Sequence, residues 1–453
     1  MTELLFNAFI MNTASHIQHG LWRHPEARQA DFNDVELWVD LARTLEGGLF
    51  DAAFFADVSG MYGPVNGDYT VNVREGLQIP SNDPSVLLSA MAVHTKHLGL
   101  AFTSNVMQSH PFEFARRIST LDHISKGRVA WNIVTSTQEN AARNFGLDRL
   151  TAHDARYEWA EEYLDVVFKL WEGSWDDGAL LKDRAGGVFA DRARIHKINH
   201  VGKRYRVEGP HLPSPSPQRT PFLFQAGSSP VGRAFAAKYA EAQFISTPNA
   251  AVAGKLVAET RVLAEQAGRR ADDIKFFQGI VFVVGDTEAA ARRREVELDS
   301  YASVDGYLAH ANLGVSQEDG RPLPPETRLR DIRTNGGQSH LEWLLQRDPS
   351  REPTVGDLGR MLSKRHPRLV GTPEQIADGL AEWQRAGIDG INVVNWMIPG
   401  SYVEFADHVM PELRRRGLAK REYAEGTLRR KMSGQDRVNA RHPAARYRGM
   451  FSG

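Results

Sequence analysis

The chain has 453 residues, 42% hydrophobic and 25% charged, with 55 basic against 56 acidic side chains. That supply of apolar residues excludes a disordered protein, and a net charge of −1 argues against nucleic acid or an anionic membrane as partner. Cysteine is absent, which removes disulfides, iron–sulfur clusters, thiolate zinc sites and cysteine nucleophiles together.

Met1-Thr2-Glu3 carries no basic leader, and no apolar stretch approaches the ~18 residues of a spanning helix, so a soluble cytoplasmic protein is expected. Short apolar runs then alternate with amphipathic segments. Strands are predicted at Leu4–Met11, Phe50–Phe55, Leu98–Ser104, Val129–Val134, Pro221–Gln225, Ala242–Ser246, Ile274–Val284 and Gly390–Val394. Helices are predicted at Asp34–Leu45, Pro84–His94, Phe112–Ile124, Asp154–Trp171, Val231–Lys238, Val252–Gln266, Pro373–Arg385 and Tyr402–Arg416. Thr151 and Asp154 have capping-box spacing before the fourth of these. Repeated strand–helix alternation predicts an α/β fold, a (β/α)8 TIM barrel over residues 1–417, with a doubly wound sheet as the rival. Polar, Gly- and Pro-rich stretches near 175–220 and 285–369 break the alternation and read as insertions. Residues 418–453 form a basic C-terminal arm expected to pack on the surface or on a second subunit.

The sequence contains no G-x-G-x-x-G, G-x-x-x-x-G-K-[ST] or H-E-x-x-H. Gly227–Gly232 imitates a nucleophile elbow, but the residue after Ser229 is Pro230, which has no N–H to hold an oxyanion. The same segment makes a better anion site. A strand ends at Ala226-Gly227, and Ser228-Ser229 precede Pro230 as an N-cap precedes an N1 proline. His153 and Tyr157, four residues apart on one helix face, could join it as hydrogen-bond donors to a phosphate. His16, His19 and His24 crowd the loop after the first strand. A metal-dependent barrel hydrolase would place ligands there, but His-x-x-His spacing without clear later partners favours substrate contacts or structural hydrogen bonds. Asp57, Thr103, Asn132 and Ser136 stand at successive strand ends, where barrel enzymes keep their active sites. Phe9, Phe55, Met107, Trp396 and Met397 gather apolar groups near the same ends, where cations able to hold carboxylates are scarce. A neutral, apolar substrate is therefore expected over a polycarboxylate.

Five blocks carry a resemblance: HGLWRHPE at His19–Glu26, STLDHISKGRVAWNIVTS at Ser119–Ser136, NFG at Asn144–Gly146, HDARYEWAEEYL at His153–Leu164 and SPQRTPFLFQAGSSPVGR at Ser216–Arg233. Together they resemble the luciferase-like, flavin-dependent monooxygenases that act on nitrilotriacetate, dibenzothiophene sulfone and long-chain alkanes. The pattern lies nearest the alkane type, through Val73–Pro84, although Thr13 and Thr137 stand where that type has Cys and His. The resemblance implies an oxygenase component that uses reduced FMN and O2 to oxygenate a small organic substrate, an alkane, sulfone or related xenobiotic. It also implies a separate NAD(P)H:flavin reductase and a homodimer or homotetramer. By the same resemblance FMN falls to Asp57, Thr103, Asn132, Ser136, His153, Tyr157, Ala226, Gly227, Ser228 and Ser229. The substrate side falls to Tyr62 and Gln78, with Phe9, Phe55 and Trp396 as walls and His16 and His310 as catalytic groups. An aminopolycarboxylate enzyme of the same family and a metal-dependent hydrolase are the alternatives.

Overall fold

The computed structural model describes residues 3–62, 69–311, 323–331, 352–364 and 366–452. Eight parallel strands carry the fold: β1 (Leu5–Met11), β2 (Ala52–Ala56), β3 (Gly99–Asn105), β4 (Val129–Val134), β5 (Phe222–Gln225), β6 (Ala242–Ile245), β7 (Lys275–Val284) and β8 (Gly390–Val394). Each pairs with its sequence neighbour, and β1 closes on β8 through Leu5–Gly390 to Phe9–Val394. That closure decides for the barrel over the doubly wound sheet. A ninth strand, Arg368–Gly371, pairs only with the C-terminal half of β7, from Val281 to Val284.

Helices α1 (Val35–Gly47), α2 (Pro84–Val93), α3 (Pro111–Ile124), α4 (His153–Phe168), α5 (Pro230–Tyr239), α6 (Ala250–Gln266) and α7 (Pro373–Arg385) wrap the outside. The last barrel helix passes through Gly400–Glu404, a π turn at Phe405–Val409, and Met410–Arg415. Pro411 accounts for the break, since it cannot donate to the preceding turn. The capping box expected at Thr151 and Asp154 does not form. Ala152 is the N-cap, without a side-chain bond, and Asp154 instead binds His153 at 2.7 Å. A Thr151 cap would need the helix to begin at Ala152; it begins one residue later, at His153, which leaves Thr151 outside capping reach.

Strand alternation sorts two cores. Inside the barrel Phe9, Phe54, Phe224 and Phe277 pack edge to face, with Phe54–Phe224 centroids 5.1 Å apart. Outside, Phe55, Trp38, Leu100 and Trp131 join the helices to the sheet. In 175–220 the chain forms two small antiparallel hairpins, Leu180–Asp183 with Val188–Ala190 and His200–Val201 with Arg206–Val207. Within 285–369, helices Glu288–Ser300, Val304–His310 and Val355–Ser363 are described; the remainder of that insertion outside the ranges above is not among the described residues.

The C-terminal arm shuts the N-terminal end of the barrel. Leu428 joins the inner core, and the fully buried Arg429 grips Glu241 at the start of β6 through two bonds of 2.7 and 2.8 Å. Arg446 and Arg448 bind Asp165 and Glu172 on α4 and the turn after it. These arginines therefore serve the chain's own carboxylates.

Candidate active site

At the opposite, C-terminal end the strand ends surround a cavity of about 470 Å³. Phe9, His16, Asp57, Tyr62, Gln78, Thr103, Asn132, Ser136, Tyr157, Ala226, Gly227 and His310 all line it. Residues scattered over three hundred positions thus converge because the strand ends, and the loops and helices that follow them, meet at one face of the barrel.

One wall is a chain of oriented polar groups. Thr103 Oγ1 donates to the Phe55 carbonyl at 2.9 Å and accepts from Asn132 Nδ2 at 2.9 Å. The amide is therefore fixed, and its buried Oδ1 has no hydrogen-bond partner among the described residues. A buried acceptor so held calls for a donor from a ligand. Ser136 donates to Gln138 at 3.1 Å and sits at φ 61°, while Gln78 sits at φ 50°. Left-handed backbone at two non-glycine cavity residues is a cost that structures tolerate chiefly at functional sites.

Asp57 is the charged member. Burial, reinforced by the Asp83 charge, pushes its carboxyl up to about 7 against the opposing hydrogen bonds of Val58 and Gln108. At neutral pH it therefore lies at the midpoint between acid and carboxylate.

At the second end of the cavity lies the segment that the sequence reading makes an anion site. Ser229 caps α5, accepting from Gly232 N at 3.1 Å, and Pro230 occupies the first turn as the sequence predicts. His153 Nε2 lies 3.4 Å from Ser229 Oγ, and the His153 ring is 5.4 Å from that of Tyr157. Ser228, Ser229 and His153 stand at the rim rather than in the lining. Both glycines are required by close approach. A Cβ on Gly227 would lie 2.8 Å from the Tyr157 hydroxyl, and one on Gly232 would lie 2.7 Å from it.

Two expected walls are misplaced. Phe55 points outward and packs on Trp38 at 5.4 Å, because strand alternation sends Phe54, not Phe55, inward. Trp396 turns away to donate to the Phe282 carbonyl at 3.1 Å and stacks under Arg368. It borders a small adjoining hollow with His16 and Thr13, not the main cavity. Met107 and Met397 are likewise absent from the lining, whereas Met11, Ile17 and Phe244 supply apolar surface that sequence reading missed. Phe244 lies in β6 and meets Phe9 at 4.8 Å, so its inward register was available in principle from the alternation. Of the three early histidines only His16 lines the cavity; His19 binds His310 and His24 faces Glu297. Among the described residues no group of three His, Cys, Asp or Glu could hold a metal ion. Nor is any helix there long and apolar enough to cross a membrane.

A closed (β/α)8 barrel with a cavity at its C-terminal strand ends, walled by oriented polar groups and flanked by a capped helix start, is the arrangement of a barrel enzyme. The Luciferase-like monooxygenase family matches residues 11–390, and the chain belongs to it. The dimethyl-sulfide monooxygenase of Hyphomicrobium sulfonivorans is 43% identical, covering 100% of this chain and 95% of its own length. The long-chain alkane monooxygenase of Geobacillus thermodenitrificans (strain NG80-2) is 42% identical over 99% of both chains. A crystal structure of long-chain alkane monooxygenase superposes with a TM-score of 0.89 and 42% identity, covering 99% of this chain and 100% of that one. A riboflavin lyase solved with modified FMN and riboflavin superposes with a TM-score of 0.88 at 33% identity, covering 99% of this chain and 100% of that one. The protein is thus a flavin-dependent monooxygenase, the oxygenase part of a two-component system acting on a small organic substrate. The family uses FMN and O2, and the metal-hydrolase alternative falls away.

Proposed function

We propose that reduced FMN binds in the barrel-end cavity and that the substrate is small, neutral and mostly apolar. The observation that carries the first part is the pairing, in one cavity, of the Tyr157–Gly227–Gly232 cradle with the fixed Asn132 acceptor. Tyr157, Gly227, Ser228 and Ser229 would hold the phosphate, with Ala226 beside them and His153 at the rim. Asp57, Thr103, Asn132 and Ser136 would face the ring. Bound reduced FMN supplies the electrons with which O2 is split between product and water. The chain's own part is to orient the ring, exclude water and hold protons at Asp57 and the histidines.

The substrate side is argued from composition of the lining. Phe9, Met11, Ile17, Tyr62 and Phe244 give apolar surface, and among the described residues no Lys or Arg lines the cavity. Arg74, which ends the short helix Thr70–Arg74, is held by Asp305 at 2.6 Å and Glu75 at 3.0 Å. A polycarboxylate would enter without a counter-charge, which is costly. The cavity must also hold a flavin ring and substrate together, so about 470 Å³ favours a small thioether, alkane or sulfone. His16 and His310, with Gln78, would present polar groups to the reacting end.

The decisive experiment supplies reduced FMN from a generic flavin reductase to a panel of neutral and aminopolycarboxylate substrates. Oxygenated product from the neutral members is expected; preferential turnover of aminopolycarboxylates would overturn the substrate reading. Without added reductase the pure chain is expected to oxidise no NADH, and sustained NADH turnover would refute the need for a separate donor. Tyr157→Phe is expected to weaken FMN by about 1–3 kcal/mol, the scale of one hydrogen bond to a charged group, while leaving riboflavin affinity unchanged in a titration. Ser229→Ala is less clean, since the same hydroxyl caps α5. His310→Ala should leave FMN affinity intact yet lower product yield and raise released hydrogen peroxide. Self-assembly into a homodimer or homotetramer fits the exposed Val86 and Val93 on α2 and Phe189 on the first hairpin, and light scattering measures it.

A further inference from the structure

The loop after β2 is pinned from several sides. A Cβ on Gly60 would lie 2.4 Å from Ala141 N, so the loop packs directly on helix Glu139–Asn144. From that helix Asn144 Nδ2 donates to the Ser59 carbonyl at 3.1 Å, and Asn140 Oδ1 accepts from Met61 N at 3.2 Å. The Ser59 side chain is held separately, from the end of β3. Its Oγ accepts from Gln108 Nε2, and from Asn105 Nδ2 at 3.2 Å. Ser59, Asn105 and Thr103 all line the cavity, and Thr103 and Asn105, two apart on β3, face the same way. Ser59 thus continues, through Asn105, the polar wall that begins at Asn132 and Thr103.

The direction of these bonds is fixed by main-chain donors. Gln108 Oε1 accepts from Asn105 N at 3.0 Å and from Ser104 Oγ at 2.8 Å. A main-chain N–H can only donate, so the Gln108 atom facing it is the oxygen, and the amide nitrogen is left to face Ser59. Asn105 is settled likewise. Met107 N donates to its Oδ1 at 2.7 Å, which turns its Nδ2 toward Ser59. Ser59 Oγ therefore accepts twice, which occupies both of its lone pairs. Its own proton has no acceptor among the described residues. The Ser59 hydroxyl is thus a donor offered to the occupant of the cavity, on the same wall as the bare Oδ1 acceptor of Asn132.

We propose that Ser59 is a flavin-binding residue that donates to a carbonyl on the pyrimidine edge of the ring, with Gln108 and Asn105 imposing the direction of that bond. The inference rests on FMN occupying the cavity, as given under Proposed function. The pyrimidine edge of an isoalloxazine alternates carbonyl acceptors with an N–H donor. A wall that presents one acceptor and one donor matches that alternation, with Asn132 taking the N–H and Ser59 meeting a carbonyl. The benzenoid edge carries methyl groups and would leave both polar groups unpaired. A side chain already held by two bonds also loses little rotamer freedom when the ring binds.

Equilibrium titration of FMN and of riboflavin into the full-length protein tests this. Ser59→Ala is expected to weaken both by about three- to tenfold, one hydrogen bond's worth, whereas Tyr157→Phe weakens FMN alone. Infrared difference spectra of the bound flavin add a readout that a loosened loop would not give. A ring carbonyl deprived of its donor should move to higher wavenumber in Ser59→Ala. Unaltered affinity for both flavins, a loss confined to FMN, or an unshifted carbonyl band would each overturn the proposal. Should Ser59→Ala fail to fold, neutron diffraction from the flavin-bound unmodified protein decides. The Ser59 deuteron is expected to lie toward a ring carbonyl, and one directed at Gln108 or Asn105 would overturn it. Failure of the unmodified protein to bind either flavin would sink the flavin reading and this contact together; flavin binding that Ser59→Ala leaves unchanged would sink the contact alone.

Discussion

Arg429→Ala is expected to destabilise the protein by about 3–5 kcal/mol, the range for removing one partner of a buried ion pair. The guanidinium is fully buried and makes every bond inside the barrel floor: two to Glu241, one to the Pro221 carbonyl at 2.8 Å and one to the Gln218 carbonyl at 3.3 Å. Burial alone would raise the Glu241 carboxyl, yet the Arg429 charge and hydrogen bonds bring it below its ordinary value. Truncation leaves that carboxylate buried and uncompensated. The double variant Arg429→Met with Glu241→Met should recover most of the loss, because two apolar chains of similar volume replace the pair.

The pH dependence carries a definite sign. A carboxyl lowered in the folded state contributes stability above its unfolded value near 4.5, and that contribution fades as pH falls through the folded value. Unfolding by urea at pH 7 and pH 4 should therefore show a large Arg429→Ala penalty at the first and a smaller one at the second. FMN affinity of the folded variant should be nearly unchanged, since the pair lies at the far end of the barrel from the cavity. A penalty under 1 kcal/mol at pH 7 would show that the arm does not anchor the floor.

How legible this architecture is in the sequence depends on the range of the forces involved. Val129–Val134 and Gly390–Val394 are read to the residue, because a buried parallel strand is a bounded apolar run. Ser229-Pro230 is read as a capped helix start for a similarly local reason. Phe55 fails because inward or outward facing depends on register, and a single-residue parity error reverses it; Trp396, two residues beyond β8, follows a loop path that no alternation specifies. The His19–His310 contact is hidden altogether. It joins residues 291 apart, across an insertion whose path no periodicity specifies. The same holds for Arg429, which reads as one more charge in a basic tail until the floor it plugs is seen.

Asp57 shows the same limit in its chemistry, and its replacement should have the opposite effect on stability. The strand-end position is legible, but the proton affinity comes from burial and from Asp83, which tertiary packing brings near. Unfolded, the carboxyl titrates near 3.8; folded, near 7, so between these values the folded chain holds the extra proton. Stability therefore declines as pH rises from about 4 to about 7, and the full cost is present above that. Asp57→Asn removes the ionisation while keeping the shape. In the absence of FMN it should be no more stable than the parent at pH 4 and about 1–3 kcal/mol more stable at pH 8, a range reduced for the solvent that reaches the cavity. The same variant should lose turnover, as the proton-holding role proposed for Asp57 requires; stability gained where activity is lost marks a residue kept for chemistry. Urea unfolding at the two pH values, with product formation measured alongside, checks both halves. Equal stability of variant and parent at pH 8 would show that the folded carboxyl ionises without cost, and the acid–base role assigned to Asp57 would fall with it.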